Sequence, residues 1–199
     1  MAYLMQNQQL KNLIRGSGVV LASLFGLSAC NSTGQYTQQY SAARQQQQGV
    51  TQDAASAQAL AARFAQAFNQ MGQPSFISAV DQLYADSLYI NDTLSVHYQK
   101  ASVLENFKAM NKRIQRAQVT IIDVTTAKDV AYVHWKMRFD LKLLGQVKVI
   151  ESHGISELKQ NTAGQIIFQH DFWDPANGLY RALPYAGGLY RWLTPFKTS

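Results

Sequence analysis

From residue 57 onward the hydrophobic positions first recur with a helical period and then switch to strict alternation, which predicts helices followed by a sheet. Leu60, Phe64, Ala67, Phe68 and Met71 fall on one helical face, and Gly72-Gln73-Pro74 stops that helix. A shorter helix follows over 76–84, then two short strands over 88–91 and 96–98. Residues 101–114 form another helix with Val103, Leu104, Phe107 and Met110 as its apolar stripe. Beyond it the period becomes two. A β-branched run covers 119–125, and 130–143 alternates with Ala131, Val133, Trp135, Met137, Phe139 and Leu141 on one face. Gly145 turns the chain, and strands 147–159 and 165–173 are joined at Asn161-Thr162-Ala163-Gly164. A last helix is expected over 175–193, interrupted near Pro184 and Gly187-Gly188. The fold class is therefore α+β, a curved antiparallel sheet wrapped around N-terminal helices, with a C-terminal helix.

The first 56 residues read differently. Residues 1–15 are polar, with Lys11 and Arg15 as their charges, and 16–27 form an apolar run of about a dozen residues, short of the ~20 needed to span a bilayer. Leu27-Ser28-Ala29-Cys30 closes the run and resembles the lipobox cut by the lipoprotein signal peptidase. The resemblance implies a signal peptide over 1–29, cleavage before Cys30, and lipid on that thiol as a membrane anchor. Asn31 in place of Asp implies the periplasmic face of the outer membrane in a bacterial cell envelope. An ordinary signal, or a buried helix with a chance cysteine, is the plainer alternative. The stretch 31–56 is rich in Gln, Ser, Thr and Ala without an apolar period, so 30–56 is expected to be the lipidated cysteine and a disordered tether ahead of a domain at 57–199.

Composition narrows the function classes. The 199 residues are 47% hydrophobic and 15% charged, enough for one ordinary core. Net charge is +6, and removing Lys11 and Arg15 leaves +4, spread from Lys100 to Lys197 without a dense basic run. No nucleic-acid motif accompanies it, and no nucleic-acid partner is expected. A single cysteine cannot form an internal disulfide. His97, His134, His153 and His170 lack metal-ligand spacing, and alternation places the last three opposite the candidate pocket face, so no metal or other cofactor is expected.

The element order, with Leu83-Tyr84-Ala85-Asp86 before the first strand and the late Gly164-Gln165-Ile166 and Phe172-Trp173 strand, resembles the nuclear transport factor 2-like superfamily, which includes SnoaL-like polyketide cyclases and ketosteroid isomerases. The resemblance spans about 57–193 and implies a cone whose open end holds a small, mostly apolar ligand. Laid against a ketosteroid isomerase, Ile90-Asn91-Asp92 matches the stretch with the catalytic base, which makes Asp92 the candidate base. The two oxyanion donors fall on Phe64 and Ser156: the first has no donor and the second is a weak one, which argues against steroid isomerisation. The resemblance also points Trp135, Met137, Phe139, Ser156 and Trp173 into the cavity. Strand alternation adds Asp171, on the face of Trp173 and Gln169, as a second candidate acid. Two carboxylates in an apolar cavity can divide acid and base roles. The plainer readings are that Asp171 is a structural acceptor and that Asp92 caps the turn before Thr93.

The leading expectation is a membrane-anchored domain that binds a small apolar ligand. An isomerase, cyclase or hydrolase using Asp92 or Asp171, and an envelope scaffold that pairs as a homodimer, are the alternatives. Gly178-Leu179-Tyr180-Arg181 and Gly188-Leu189-Tyr190-Arg191 form a small aromatic repeat that either docks on the domain or meets the membrane interface.

Overall fold

The structure is a computed structural model that describes residues 32–180. The chain divides into two compact units, Met1–Gln45 and Gln46–Ser199. The described part of the first is helix α1 (Ser32–Gln46), polar nearly all round. This corrects the tether expected over 31–56. Side chains of high helix propensity, chiefly Gln and Ala, hold a helix here without an apolar stripe.

The second unit starts well before residue 57. Val50 N–H donates to Gln160 O at 2.9 Å and Gln52 N–H to Lys128 O at 2.8 Å. Gly49 N–H donates to Asp129 Oδ2 at 3.1 Å. Residues 49–52 are thus fastened to the domain by backbone groups, which a composition-based reading of Gln and Gly cannot see.

Asp53 then caps helix α2 (Ala54–Phe68): its carboxylate accepts Ser56 N–H at 2.7 Å while Ser56 Oγ accepts Asp53 N–H at 2.9 Å. Helix α2 buries Ala57, Leu60, Ala61, Phe64, Ala67 and Phe68, the expected stripe. It ends at Asn69, whose side chain grips Val119 through both backbone groups, at 2.6 and 3.3 Å. Gly72 follows at φ +91°, where an added Cβ would lie 2.6 Å from Gln115 O. Helix α3 (Phe76–Leu83) buries Phe76, Val80 and Leu83. Strands β1 (Tyr84–Asn91) and β2 (Val96–Gln99) precede helix α4 (Lys100–Asn111), which buries Val103 and Phe107. Phe68 meets Phe64, Phe76 and Phe107 with ring centroids 4.7, 6.1 and 5.6 Å away, so one aromatic knot joins all three helices.

The long strands are β3 (Ile114–Ala127), β4 (Val130–Leu143), β5 (Gln146–Gln160) and β6 (Ile166–Trp173). One open sheet has the order β2-β1-β6-β5-β4-β3. Every neighbouring pair is antiparallel except β1 and β6, which run parallel, so the sheet is mixed where an antiparallel one was expected. Ile114 opens β3 rather than ending the preceding helix. The core lies between the helices and the inner sheet face, with Ala131, Val133, Trp135, Leu158 and Ile166 buried against Leu60, Phe64 and Phe76. Helix α5 (Pro175–Gly178) is all that the described residues contain of the helix expected over 175–193. The second Gly-Leu-Tyr-Arg repeat lies outside them, as do the signal segment and Cys30.

Candidate functional site

Cross-strand register builds the site in rows on the inner sheet face. Trp135, Gly154 and Trp173 form one row, and Val133, Ser156 and Asp171 the next. Leu158 faces Gln169 in the third. Gly154 is required between the two indoles: a Cβ there would lie 2.8 Å from both Trp135 Cζ2 and Trp173 Cβ, and 2.7 Å from Phe172 O. Gly178 of α5 then sits over the same Trp173 ring and Ser152.

Asp171 is the centre of the polar part. Ser156 Oγ–H donates to Asp171 Oδ1 at 2.7 Å, and Trp135 Nε1–H donates to Ser156 Oγ at 2.8 Å. Gln169 Nε2 donates to both carboxyl oxygens, at 3.1 and 2.9 Å. Tyr84 O–H donates to Gln169 Oε1 at 2.6 Å. The two routes into Asp171 start from the Trp135 indole N–H, which can only donate, and from the Tyr84 phenol O–H.

Burial pushes the Asp171 carboxyl up to about 7, against the opposing pull of the Ser156 and Gln169 hydrogen bonds, and the nearby Asp92 charge adds to the rise. Burial, then the Asp171 and Asp92 charges, lift the Tyr84 phenol well above its ordinary value, so it stays a donor. Asp171 itself remains half-buried. Its carboxyl exchanges a proton near neutrality beside an apolar wall.

Asp92 has a different situation. Its Oδ1 accepts Leu94 N–H at 2.9 Å, Ser95 N–H at 2.6 Å and Ser95 Oγ–H at 3.0 Å, and its carboxylate shapes the turn after β1. That turn is stitched to β6: Trp173 Nε1–H donates to Asp92 O at 3.0 Å, and Thr93 Oγ1–H to Asp171 O at 2.8 Å. Thr93 holds φ +76°, a left-handed conformation that a β-branched residue rarely adopts. The turn keeps it there through Asn91 Oδ1, which accepts Thr93 N–H at 2.9 Å. Asp92 thus orders the segment beside the site.

The remaining expected residues divide into two layers. Asp171, Met137, Phe139 and Trp173 keep accessible surface, whereas Ser156, Trp135 and Phe64 are buried, at 0, 3 and 2% exposure. Ser156 acts on Asp171 and not on a ligand directly, since its proton is given to that carboxyl. Phe64 belongs to the aromatic knot. The oxyanion pair of a ketosteroid isomerase is thus not assembled at these two positions. Gln169 and Tyr84 are functional candidates that the sequence reading did not select. Their signal was present: Gln169 alternates with Asp171 on one face, and Tyr84 lies in the quoted Leu83-Tyr84-Ala85-Asp86 stretch.

His170 is buried on the opposite sheet face, stacked on Tyr89 at 6.3 Å, and its pKa is lowered by burial with the Glu157 charge opposing. It makes no dyad with Asp171. Among the described residues no group of three His, Cys, Asp or Glu side chains could hold a metal ion. A groove of about 440 Å³ between α2 and α3, lined by Arg63, Gln66, Gln70, Ser78 and Gln82 among others, shares no residue with the Asp171 network.

No family model and no curated sequence matches the chain. Solved structures do. A protein described as a SnoaL-like polyketide cyclase from Shewanella denitrificans OS-217 superposes with a TM-score of 0.53 at 13% identity, over 61% of this chain and 92% of that one. An epoxide hydrolase of LEH-like type from M. tuberculosis gives 0.52 at 15% identity, over 71% and 98%. An NTF2-like protein of unknown function from Exiguobacterium sp. 255-15 gives 0.50 at 12% identity, over 58% and 98%. At such identities the likeness speaks for the fold and not for a reaction. Helices packed on one face of a six-stranded open sheet, in this strand order and beside these neighbours, give the chain the fold of the nuclear transport factor 2-like superfamily.

Proposed function

We propose that this chain is an envelope lipoprotein, anchored through Cys30, whose NTF2-like domain binds a small, mostly apolar molecule carrying one hydrogen-bonding group. The observation that carries the reading is Asp171: a carboxyl near pKa 7, fixed by Ser156 and Gln169, on the same sheet face as Trp173 and Met137. A carboxyl that is easily neutral can donate to a ligand carbonyl or hydroxyl, and the indole and thioether supply apolar area. The anchor is supported by the apolar run 16–27 and Leu27-Ser28-Ala29-Cys30, with Asn31 favouring the periplasmic face of the outer membrane.

Native mass spectrometry of the chain purified from its own host tests the binding reading. A retained mass of lipid or metabolite size, lost in Asp171→Asn or Trp173→Ala, supports it; repeatedly empty protein overturns it. Cys30→Ala tests the anchor by fractionation of membranes washed in high salt, and a variant that still partitions with them as the parent does removes it. A catalytic reading has one specific observation in its favour, the same carboxyl poised for proton transfer at neutral pH. Neighbours of this fold are described as a SnoaL-like polyketide cyclase and an LEH-like epoxide hydrolase, and on the catalytic reading turnover by this chain would be abolished by Asp171→Asn.

A further inference from the structure

The β4–β5 hairpin ends in a two-residue turn that the hairpin itself does not favour. Leu143 pairs with Gln146, which leaves Leu144 and Gly145 at the tip, both left-handed at φ +48° and +79°. Turns of this kind take Asn, Asp or Gly at the first position, because other L side chains are disfavoured there. Leu144 is also 79% exposed. Neither its backbone nor its side chain is at ease in water, so stability of the hairpin does not account for leucine at this position.

The surroundings indicate what does. Val147 and Val149, on one face just behind the tip, are 48 and 49% exposed. Lys142 is exposed opposite Val147 on that face, Lys148 is exposed on the other face of the strand, and exposed Arg113 is brought to the tip because its O accepts Lys142 N–H at 2.7 Å. Among the described residues these three cations make no salt bridge. The two acids on this face are paired with other cations, Asp140, opposite Val149, with Arg116 at 3.3 Å and Glu151 with Arg138 at 3.2 Å.

We infer that the β4–β5 tip is a membrane-docking surface: Leu144, Val147 and Val149 enter the headgroup boundary of an anionic lipid bilayer while Lys142, Lys148 and Arg113 meet its headgroups. Exposed apolar residues at a tip flanked by two lysines and an arginine without salt-bridge partners match such a surface in charge and in position. This contact goes beyond the Cys30 anchor and does not depend on it. Where both operate, the hairpin fixes how the domain faces the membrane.

The test uses the full-length chain in vesicles of phosphatidylcholine, with or without roughly one third phosphatidylglycerol, and brominated lipid as a depth quencher. An environment-sensitive dye is placed at Gln146→Cys, at the tip, or at Thr162→Cys, at the opposite end of β5. The parent with Cys30 alone gives the background. The tip dye is expected to be quenched several-fold more than the Thr162 dye, only in the anionic vesicles, and to be released by high salt. Leu144→Asn, which installs the preferred Asn-Gly turn and keeps or raises the thermal midpoint, is expected to remove at least about half of the quenching. Lys142→Glu with Lys148→Glu is expected to do the same. Equal quenching at both ends, or quenching untouched by these variants, overturns the inference. Intact mass reports lipid on Cys30 separately: a lipidated chain with an unquenched tip sinks the hairpin alone, and an unlipidated chain with a quenched tip sinks the anchor alone.

Discussion

Ser156 Oγ donates to Asp171 Oδ1 at 2.7 Å, and that hydroxyl is itself held by the Trp135 indole N–H. Ser156→Ala therefore breaks two bonds at once and leaves a buried indole N–H without its acceptor. The expected cost is about 1–3 kcal/mol of stability, read by urea unfolding. Losing a donor to the carboxylate also raises the Asp171 pKa further, which a carboxyl-resolved NMR titration reads directly. Ser156→Thr, if accommodated, should restore the titration but not all of the stability, because the site is fully enclosed.

Asp171 makes stability depend on pH with a definite sign. Its folded pKa of about 7 lies above the ordinary carboxyl value of 3.8, so between those values the folded chain binds more protons than the unfolded one. Stability from this group is complete below pH ~4 and falls until about pH 7, after which it is level. Asp171→Asn removes that slope. The variant should gain on the parent across the window by on the order of 2–4 kcal/mol, measured as the difference between urea curves at pH 4 and pH 8. A parent whose stability stays level relative to the variant over that range would show the carboxyl to be solvated.

Much of this site was legible in the sequence, and the reasons it was not wholly so are physical. Alternation along 130–143 placed Trp135, Met137 and Phe139 on one face, and the register confirms it, since a strand has a side-chain period of two. The same rule paired Asp171 with Trp173 and separated both from His170. Alternation does not report depth, however. It could not tell that Ser156 and Trp135 lie behind Asp171 whereas Met137 and Trp173 lie beside it. It could not find Tyr84 as the group that orients Gln169, because the two are joined across the parallel β1–β6 pair, a pairing no local pattern encodes. The start of the domain was hidden for a similar reason. Gly49, Val50 and Gln52 are fixed by backbone bonds to residues about 80–110 positions away, which composition does not record.

Gly154 separates Trp135 from Trp173, and the space it leaves is already used by both rings and by Phe172 O. Gly154→Ala should force the indoles apart and cost about 1–3 kcal/mol, more than an alanine in a strand normally would. Because Trp173 also holds Asp92 O, the displacement should loosen the turn carrying Thr93. Tryptophan fluorescence shifted in the folded variant, together with faster hydrogen exchange at the Leu94 and Ser95 amides, checks this. An unshifted spectrum with parental stability would mean that the strands yield instead of the rings.

Lys159 and Asp129 fasten the entry of the domain. The ammonium lies 3.0 Å from Asp129 Oδ2 and donates to Gln47 O at 3.0 Å, while the same carboxylate oxygen accepts Gly49 N–H. Burial pushes the Asp129 carboxyl up, but the Lys159 and Gly49 hydrogen bonds outweigh it and hold the pKa below its ordinary value. A depressed carboxylate contributes stability above its unfolded pKa and loses it as pH falls through the folded one, so this fastening weakens only in acid, opposite to Asp171. Asp129→Asn should cost about 1–2 kcal/mol at neutral pH, the amide still being able to accept from Gly49 but no longer matching the Lys159 charge. Asp129→Ala should cost more and should speed hydrogen exchange at the Gly49 and Val50 amides above all others, because Val50 N–H reaches Gln160 O only while this segment lies against β5. Unchanged exchange at those two amides would show that the Gln52–Gln160 side-chain bond, at 3.1 Å, holds the entry by itself.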